Sequence, residues 1–538
     1  MLLMSTLTPV PAAPARQRGP ALPSGEFDAI VVGSGIGGLA AAALLARRAQ
    51  KRVLVLERHY VAGGFTHVFH RPGYEWDVGV HYVGQMGAGS PMRALLDEIT
   101  DGRLEWNAMP DVYDRIQIAE RRYDFVSGAG RFEERMRQYF PREGAAIRKY
   151  LAQVRDAARA RTMFFAANAI PAALARVVGP LLRRRFLNYA RPTTAETLGR
   201  LTGNRELIGV LTGQWGDYGL PPGQSSFGAH AIIAEHYLEG AFYPVGGASR
   251  IAAAIAPVIE RAGGRIVVAA EVQQILLDRQ NRAMGVRMAD GRELRAPLIL
   301  SDAGAWNTYA RLLPPDAPGR APAIEEIEHI PRSMGHLCLY VGLRRDAGEP
   351  EFGDTNLWIY PSPDHDANVA RYTADCEQPF AGLFISFPSA KDPEFAQRHP
   401  GRATIEVVTL APYAWFERWA GTRWKRRGAD YDALKQRLVQ RLRMELERHV
   451  PAVRGKIEYC ELSTPLSTQH FANQAGGQIY GPAMTPERFR ARSLSPRTPV
   501  RNLYLTGADA AMLGVAGALA GGALAASAVL RRPVLGTR

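Results

Sequence analysis

The chain has 538 residues, 46% of them hydrophobic and 22% charged, a composition typical of a globular protein with ample core. Its formal net charge of +14 fits a nucleic-acid partner, an anionic membrane surface or neither, but the absence of zinc-finger spacing and of any RNP-like sequence argues against nucleic acid. Its three cysteines lie far apart, which argues against a disulfide framework or a metal site and favours a reducing, cytoplasmic location.

Residues 1–26 are rich in proline, alanine and serine and are predicted to form a disordered tail. The apolar run at the start is short and lacks a preceding basic region, so a signal peptide is not expected. The first ordered element is therefore expected from residue 27 onward.

Residues 27–57 have the pattern of a strand, a turn, a helix and a second strand. An apolar run, Ala29 to Val32, leads into Gly33-Ser34-Gly35-Ile36-Gly37-Gly38, and an alanine-rich helical pattern follows. A second apolar run, Val53 to Leu56, ends at Glu57. In this context a G-x-G-x-x-G sequence indicates a dinucleotide site, although it does not distinguish NAD from FAD.

Each glycine of this motif has a physical role in such a site. Gly33 permits the tight turn, Gly35 lets a pyrophosphate approach the backbone, and Gly38 lets the helix pack close to the strand. The phosphates would lie at the helix N-terminus, where free N–H groups and the helix dipole favour negative charge. Glu57, at the end of the second strand, is placed to accept hydrogen bonds from a ribose.

Residues 91–210 contain long helix-like stretches, and one of them has an unusual composition. Met163 to Leu187 mixes bulky apolar residues with arginines and two prolines. Such a segment fits a helix lying on a membrane surface. It fits equally well a helical hairpin packed into the core, and the sequence leaves both interpretations open.

The elements predicted after residue 245 are again typical of a nucleotide-binding fold. A helix over Arg250 to Arg261 stops at Gly263-Gly264, and strands are expected over Arg265 to Val268 and Ala296 to Ser301. Between residues 333 and 448 the pattern predicts several strands and then an amphipathic helix.

The last predicted elements are a strand over Asn502 to Thr506 and an uncharged run over Leu513 to Leu530. That run consists mainly of glycine and alanine, so a buried helix with close backbone packing fits it better than a transmembrane helix.

Nucleotide-type elements at both ends and in the middle of the chain predict one discontinuous nucleotide-binding domain, formed by residues 27–90, 245–310 and 496–538. The insertions, residues 91–244 and 311–495, are predicted to form a second domain that binds substrate and faces the membrane. No second G-x-G-x-x-G occurs in a strand–helix–strand setting, which argues against a second built-in dinucleotide site.

Four longer stretches give a more specific signal, namely Trp76 to Gly84, His236 to Ser249, Pro388 to Pro393 and Leu503 to Asp509. Through them the chain resembles the flavin-dependent phytoene desaturase and carotenoid isomerase superfamily, and within it the retinol saturase family, over roughly residues 27–535. The resemblance implies an α/β fold with a discontinuous, Rossmann-like FAD-binding domain of the amine oxidase and glutathione reductase type. An α+β substrate domain would be inserted into it.

The resemblance also implies which residues hold the adenosine and pyrophosphate parts of FAD. Gly33, Gly35 and Gly38 would cradle the pyrophosphate, and Glu57 would bind the adenosine ribose. The backbone of Val272 would reach the adenine.

Further residues are implied around the flavin ring. Gly63 and Gly64 would line its pocket, and Asp509, in the turn that begins at Gly507, would contact the ribityl or phosphate region. The helix that begins near Val515 would point its N-terminus at the pyrimidine end of the flavin, where a positive dipole stabilises the reduced ring.

The activity implied by the resemblance is transfer of a hydride between flavin N5 and a conjugated polyene, with a proton moving at the neighbouring carbon. Saturation of a retinoid or carotenoid double bond is the leading hypothesis. Carotenoid desaturation, isomerisation of a polyene or an unsaturated fatty acid, and a noncatalytic lipid-carrying flavoprotein are the alternatives. The electron donor stays open between NAD(P)H, a reductase partner and a quinone.

Few side chains are needed for this chemistry beyond one acid that delivers a proton. His81 is the first candidate, with Tyr243 and Tyr82 as alternatives, although each fits a purely structural role as well. His230 and His236 are six residues apart, which is not a same-face helical spacing, so no metal is expected.

Overall fold

The computed structural model describes residues 20–21, 25–170, 172–346, 348–349 and 351–534, so that residues 1–19 and 22–24 of the predicted tail lie outside the described residues. The strands, in chain order, are β1 Ala29–Val32, β2 Val53–Leu56, β3 Val68–Arg71, β4 Tyr74–Asp77, β5 Val83–Gly84, β6 Trp106–Ala108, β7 Val112–Ile118, β8 Arg121–Val126, β9 Ala241–Pro244, β10 Arg265–Val267, β11 Val272–Leu277, β12 Ala283–Met288, β13 Glu293–Arg295, β14 Ile299–Ser301, β15 Gly335–Arg344, β16 Asn356–Tyr360, β17 Leu383–Ser386, β18 Arg402–Ala411, β19 Ile457–Ser463 and β20 Leu503–Leu505.

The α-helices in the same residues are α1 Ile36–Ala49, α2 Pro91–Thr100, α3 Ala129–Tyr139, α4 Gly144–Ala169, α5 Ala172–Ala190, α6 Thr194–Gly199, α7 Arg205–Leu211, α8 Phe227–Tyr237, α9 Ser249–Arg261, α10 Ala305–Asn307, α11 Arg320–Glu328, α12 His365–Ala374, α13 Pro388–Lys391, α14 Phe395–Arg398, α15 Ala429–His449, α16 Pro465–Ala472 and α17 Gly514–Leu530.

A five-stranded parallel sheet has the strand order β10-β2-β1-β14-β20. Strands β1 and β2 are buried along their whole length, as expected for apolar strands of a parallel sheet that is covered on both faces. Helices α1, α9 and α17 pack on one face, and the small antiparallel sheet β11-β12-β13 lies against the other with α11. The α/β fold predicted from the sequence is therefore confirmed.

The strands of this sheet come from three distant parts of the chain. They fall within residues 27–90, 245–310 and 496–538, the segments from which one nucleotide-binding domain is predicted. Strands β1 and β2 match the predicted apolar runs, Ala29 to Val32 and Val53 to Leu56, because no polar residue interrupts either run.

A mixed seven-stranded sheet, of order β19-β15-β18-β17-β16-β7-β8, forms the second large layer. The long helix-like stretches predicted in residues 91–210 are present, and strands β6, β7 and β8, which were not predicted, lie there as well. From Asp114 to Ile118, alternate residues of β7 are buried, which is the two-residue period of a strand.

The segment Met163 to Leu187 spans the end of α4 and most of α5, two helices that pack against each other. Phe164 and Phe186 are buried in the core, as the hairpin interpretation requires. The outer face of α5, however, exposes 78% of Val177 and 73% of Leu181. None of the helices in the described part of the chain is long and apolar enough to cross a membrane.

The glycine- and alanine-rich run near the end forms α17, a buried helix as predicted. It lies against α1 with very little space between the two backbones. A Cβ atom on Gly522 would stand 2.5 Å from the carbonyl oxygen of Gly37, so that only glycine fits at this crossing.

Candidate functional site

A cavity of about 740 Å³ opens at the carboxyl ends of the strands of the parallel sheet. Four of its lining residues, Gly33, Glu57, Asp302 and Thr506, are the residues that directly follow β1, β2, β14 and β20. This edge of an open parallel sheet is where such folds bind their ligands.

The glycine turn after β1 forms one wall of this cavity. Gly33 has a φ of +99°, which side-chain-bearing residues rarely adopt, and Gly63 donates a backbone hydrogen bond to the carbonyl oxygen of Ser34 at 3.1 Å. Gly64 packs so closely that a Cβ on it would lie 2.9 Å from Cα of Gly35. The turn therefore presents backbone, and no side chain, to the cavity.

Two helix N-termini face the cavity, that of α1 at Gly35 and that of α17 at Leu513. Neither cap residue hydrogen-bonds to its helix through a side chain, and neither helix has an acidic residue in its first turn. Free backbone N–H groups and the helix dipole suit the anionic pyrophosphate at the first helix and a reduced flavin at the second.

Asp302, which sequence reasoning did not single out, lies beside the glycine turn. Its side chain is half-buried, and the loss of hydration around the carboxyl group raises its pKa to about 8. The carboxyl group is therefore largely protonated at neutral pH, so it does not repel an anionic phosphate at the start of α1.

Glu57 lines the cavity and already accepts three hydrogen bonds. Its carboxylate accepts from the backbone N–H and the hydroxyl of Ser34 at 2.8 and 2.7 Å, and from the backbone N–H of His59 at 2.7 Å. A carboxylate offers about four acceptor sites, so one remains for a ribose hydroxyl.

Eight of the ten residues predicted to hold FAD line this cavity: Gly33, Gly35, Glu57, Gly63, Gly64, Val272, Asp509 and Val515. Among the described residues, Gly38 and Gly507 are instead packed behind its wall. A Cβ on Gly38 would collide with the carbonyl oxygen of Gly33, in keeping with its predicted role in helix packing. The residues present thus fit an extended dinucleotide, and their assignment to FAD stays a prediction.

A second cavity, of about 1410 Å³ and mostly apolar, adjoins the first. Its walls include Phe165, Ala166 and Ile170 at the end of α4. The residues that line both cavities are Gly79, His81, Asp217, Tyr480, Leu513, Gly514 and Val515. The two spaces therefore meet at His81 and at the start of α17, and together they suit a long apolar ligand.

His81 stands at this junction and is paired with a buried carboxyl group. Its Nδ1 lies 2.8 Å from Oε2 of Glu406, a residue in the middle of β18 with no exposed surface. Burial lowers the pKa of His81 to about 4 and raises that of Glu406 to about 8. Near neutral pH the imidazole is therefore uncharged and the carboxyl group carries a proton.

Lys391, almost completely buried, is the cation of this polar network. Its Nζ donates to the backbone oxygen of His81 at 3.0 Å, to the hydroxyl of Ser386 at 2.8 Å and to the amide oxygen of Asn356. Burial lowers its pKa to about 8. The ammonium group holds the loop of His81 against the seven-stranded sheet.

Tyr82 extends the network toward a second pair of carboxyl groups. Its hydroxyl lies 2.9 Å from Asp114 and 3.0 Å from Asp217, and Asp114 also accepts hydrogen bonds from Gln214 and Asn356. Burial raises the pKa of Asp114 and, by more, that of Asp217. Of these groups, Tyr82 and Asp217 line the second cavity.

The predicted acid candidates occupy different positions. His81 lines both cavities and keeps 23% of its side chain accessible. Tyr243 is buried and, within the described chain, lines neither large cavity; its hydroxyl donates to Asp77. No three histidine, cysteine, aspartate or glutamate side chains of the described residues are placed to share a metal ion.

Three of the four stretches that carry the family resemblance meet around this network. The backbone N–H of Ala248 donates to Asp77 at 3.1 Å, and that of Gly84 donates to Nε2 of His236 at 2.8 Å. Glu406 lies outside those stretches and was missed. A signal existed, since a lone acidic residue in the apolar run of β18 predicts a buried carboxyl group.

Comparison with known proteins shows what the chain is similar to. The family model described as flavin containing amine oxidoreductase matches residues 36–530. The chain is 36% identical to the all-trans-retinol 13,14-reductase of Danio rerio, over 94% of this chain and 86% of that protein. It is 25% identical to the chloroplastic prolycopene isomerase 1 of an Oncidium hybrid cultivar, over 85% of this chain and 75% of that protein.

Among solved structures, an oxidoreductase from Methanosarcina mazei superimposes with a TM-score of 0.60 at 17% identity, covering 94% of this chain and 100% of that one. Cyclohexylamine oxidase from Brevibacterium oxydans superimposes with a TM-score of 0.57, also at 17% identity, over 94% of this chain and 100% of that one. This likeness confirms the predicted fold of the amine oxidase type.

Proposed function

The chain belongs to the flavin containing amine oxidoreductase family, and on that premise we propose that it saturates a carbon–carbon double bond of a polyene isoprenoid, a retinoid or a carotenoid. It is an FAD-dependent oxidoreductase. The observation that carries the substrate proposal is the pair of large cavities that meet at His81, because a long apolar chain fits across that junction.

The residues of this chain would bind the dinucleotide, orient the substrate and exclude water from the site. The turn at Gly33 and Gly35 and the side chain of Glu57 would hold the dinucleotide. The start of α17 would stabilise negative charge on the flavin ring. The chemistry that FAD would supply when bound and reduced is a hydride for one carbon of the double bond. His81 would deliver the proton to the other carbon from a space walled by apolar residues.

Product mass tests this proposal. Anaerobically reduced protein is mixed with all-trans-retinol, or with a carotenoid, and the extracted lipid is analysed by mass spectrometry. We expect a product with two additional hydrogens and one oxidised flavin per product. An unchanged mass with a shifted double-bond geometry would instead establish the isomerase alternative, which the similarity to prolycopene isomerase favours. If neither lipid is converted, the result would favour the third alternative, a noncatalytic flavoprotein that carries a lipid.

The electron donor is a separate proposal. NAD(P)H is one donor that fits an enzyme with a single dinucleotide fingerprint, and a reductase or a quinol are the others. Mixing the oxidised protein anaerobically with NADH, NADPH or a quinol, and following the loss of flavin absorbance, identifies which of them reduces it.

For substrate access we propose that the hairpin of α4 and α5 contacts a lipid surface. Leu174, Val177 and Leu181 form an exposed apolar row on α5. Arg184, one turn further along, is exposed, and basic residues beside apolar ones suit an anionic bilayer. The second cavity is walled by the adjoining end of α4, so an apolar substrate leaving the bilayer at this face has a short path to His81.

Charge placed on this row is expected to weaken binding to lipid. The double variant Val177→Asp, Leu181→Asp should sediment with phosphatidylserine-containing vesicles at least about tenfold less well, because burying each wild-type side chain contributes about 1.5–3 kcal/mol. Met444→Asp is the matched control, since Met444 is 69% exposed on α15, a different helix. Equal sedimentation of wild type and the double variant would contradict contact through this hairpin.

A further inference from the structure

Glu406 is a carboxyl group whose position calls for a chemical explanation. It lies in the centre of β18 with no exposed surface, where an ionised carboxylate is strongly disfavoured. Its Oε2 lies 2.8 Å from Nδ1 of His81, and the backbone N–H of Asp77 also faces the carboxyl group. A residue that served packing alone would be apolar at this position.

In the described structure Nδ1 of His81 and the carboxyl oxygens of Glu406 form no hydrogen bond, but Nδ1 and Oε2 are only 2.8 Å apart, so a small rotation of either group brings them into one. Because burial keeps the carboxyl group protonated and the imidazole neutral near pH 7, Nδ1 would then accept the proton of Glu406 and Nε2 would carry the ring N–H. The accessible part of the ring lies at the junction of the two cavities. His81 therefore presents a donor to the substrate space and keeps its acceptor toward Glu406.

A neutral imidazole is a poor acid by itself, because loss of its N–H would leave an imidazolate anion. A second proton arriving at Nδ1 removes this obstacle. Asp77 is less suited to supply it, since its two carboxyl oxygens accept hydrogen bonds from the hydroxyl of Tyr243 and the backbone N–H of Ala248.

We propose that Glu406 is the proton source behind His81. The proposal rests on the proposed function. While one carbon of the double bond gains a hydride from reduced FAD, the other takes the Nε2 proton of His81, and Nδ1 takes the proton of the Glu406 carboxyl group. The substrate thus gains two hydrogens, and both electrons come with the hydride. His81 ends neutral with its proton on Nδ1, and Glu406 ends as a carboxylate. A proton from water then enters at the accessible ring of His81 on Nε2, and Nδ1 returns its proton to Glu406, which restores the starting state.

The surroundings can hold the carboxylate that forms. The ammonium group of Lys391 favours the charged form of Glu406 and is held by the backbone oxygen of His81. The titratable groups that face Glu406 are Asp77, His81, Lys391, Tyr243, Cys338 and Tyr340, and His336 faces His81. Glu406 is a positioning and proton-supplying residue in this scheme, and His81 is the catalytic residue that touches the substrate.

Glu406→Gln tests the relay because glutamine keeps the size of the side chain and removes its acidic proton. In a single turnover of the reduced holoenzyme with all-trans-retinol at pH 7, we expect this variant to be slower by about 10²–10⁴-fold. Flavin content and circular dichroism should match wild type. The wild-type rate should fall as the pH rises through about 8, where Glu406 loses its proton, and the variant should lack this fall.

A double variant asks whether Glu406 acts through His81. Glu406→Gln combined with His81→Gln should be no slower than His81→Gln alone, because two residues of one relay lose their effect together. If the double variant is instead slower by the product of the two single-variant rate losses, the two residues act independently, and the relay is overturned.

An infrared measurement needs no substrate. Carbonyl bands of protonated carboxyl groups should be present at pH 6 and weaken near pH 8, and the difference between wild type and Glu406→Gln should contain one such band, while those of Asp77 and Asp302 stay in both proteins. Asp77→Asn is the matched control, and the Glu406 band should persist in it. A missing Glu406 band at pH 6, or a Glu406→Gln variant with the wild-type rate and pH profile, would overturn the relay alone. Failure of wild type to reduce any polyene would overturn the proposed function, and the relay with it, whatever the infrared result.

Discussion

Replacing Gly37 with alanine is expected to strip flavin from the protein, although the change adds a single methyl group. An alanine Cβ at this position would lie 2.6 Å from the backbone nitrogen of Gly507, and closer still to its Cα. Backbone atoms cannot swing aside as a flexible side chain can. Helix α1 and the turn before α17 would therefore have to separate, and these two elements carry the helix N-termini that face the cofactor cavity.

The measurement is the flavin absorbance per protein after purification, together with the midpoint of unfolding. Gly130→Ala is the matched control, because nothing lies within 4 Å of a Cβ at that position and the residue is inside α3. The control should keep its flavin and gain up to about 1 kcal/mol of stability from the better helix former. Full flavin content in Gly37→Ala would contradict the proposed cofactor position.

The free energy of unfolding is expected to be greatest between about pH 6 and 7 and to fall on both sides. The fall on the acid side comes from buried histidines whose folded pKa is lowered by burial to about 3 or 4, namely His81, His230, His236, His336 and His365. In the unfolded chain a histidine titrates near pH 6.5. The unfolded state thus binds more protons below that pH, and stability decreases as the pH falls toward 4.

The fall on the alkaline side has the opposite origin. Burial raises the folded pKa of Asp77, Asp302 and Glu406 to about 8, well above their unfolded values near 4. The stabilisation that these three carboxyl groups give the folded state is complete below their unfolded pKa, near pH 4. It decreases as the pH rises from there and is lost once the pH has passed about 8, because between these two values the native state binds more protons than the unfolded state. Burial also raises the pKa of Asp114, Asp217 and Asp366, and it lowers the pKa of four further histidines, His59, His67, His399 and His470. Between pH 4 and 6.5 the histidines with a lowered pKa therefore outnumber the carboxyl groups with a raised pKa, so stability still rises with pH there.

Urea unfolding of the holoenzyme at pH 5, 6.5 and 8 checks this profile. Each unbalanced proton changes the free energy of unfolding by about 1.4 kcal/mol per pH unit. Glu406→Gln should make the decline between pH 6.5 and 8 shallower by about one proton. Stability that stays constant or increases from pH 6.5 to 8 would contradict the raised carboxyl pKa values.

Local patterns were sufficient to predict the glycine turn and the first strands of the parallel sheet. The turn at Gly33 joins the short apolar strand β1 to helix α1, and the apolar strand β2 follows, so strand, turn and helix could be placed from neighbouring residues alone. The buried helix α17 was predictable from its own residues, because its uncharged run of glycine and alanine indicates close backbone packing. Strands β6 to β8 were not predicted, because charged residues such as Arg115 interrupt the apolar alternation and resemble a solvated helix.

The part of the site with the candidate proton donors depends on contacts between residues that are far apart in the sequence. His81 was predicted as a candidate, but its partner Glu406 comes from a strand of a different sheet. Tyr243 was predicted as an alternative acid, and the structure instead orients its hydroxyl toward Asp77. A pattern along one segment indicates that a polar residue is buried, whereas only the fold determines which residue it meets.

The interleaved parallel sheet has a consequence for biosynthesis. The glycine turn and α1 leave the ribosome early, whereas β20 and α17, which complete the coenzyme wall, are made only from residue 503 onward. Until then the nascent polypeptide must carry the α1 surface that α17 later covers. Such distant pairings form slowly, so the growing chain exposes this apolar surface of α1 until α17 has been made.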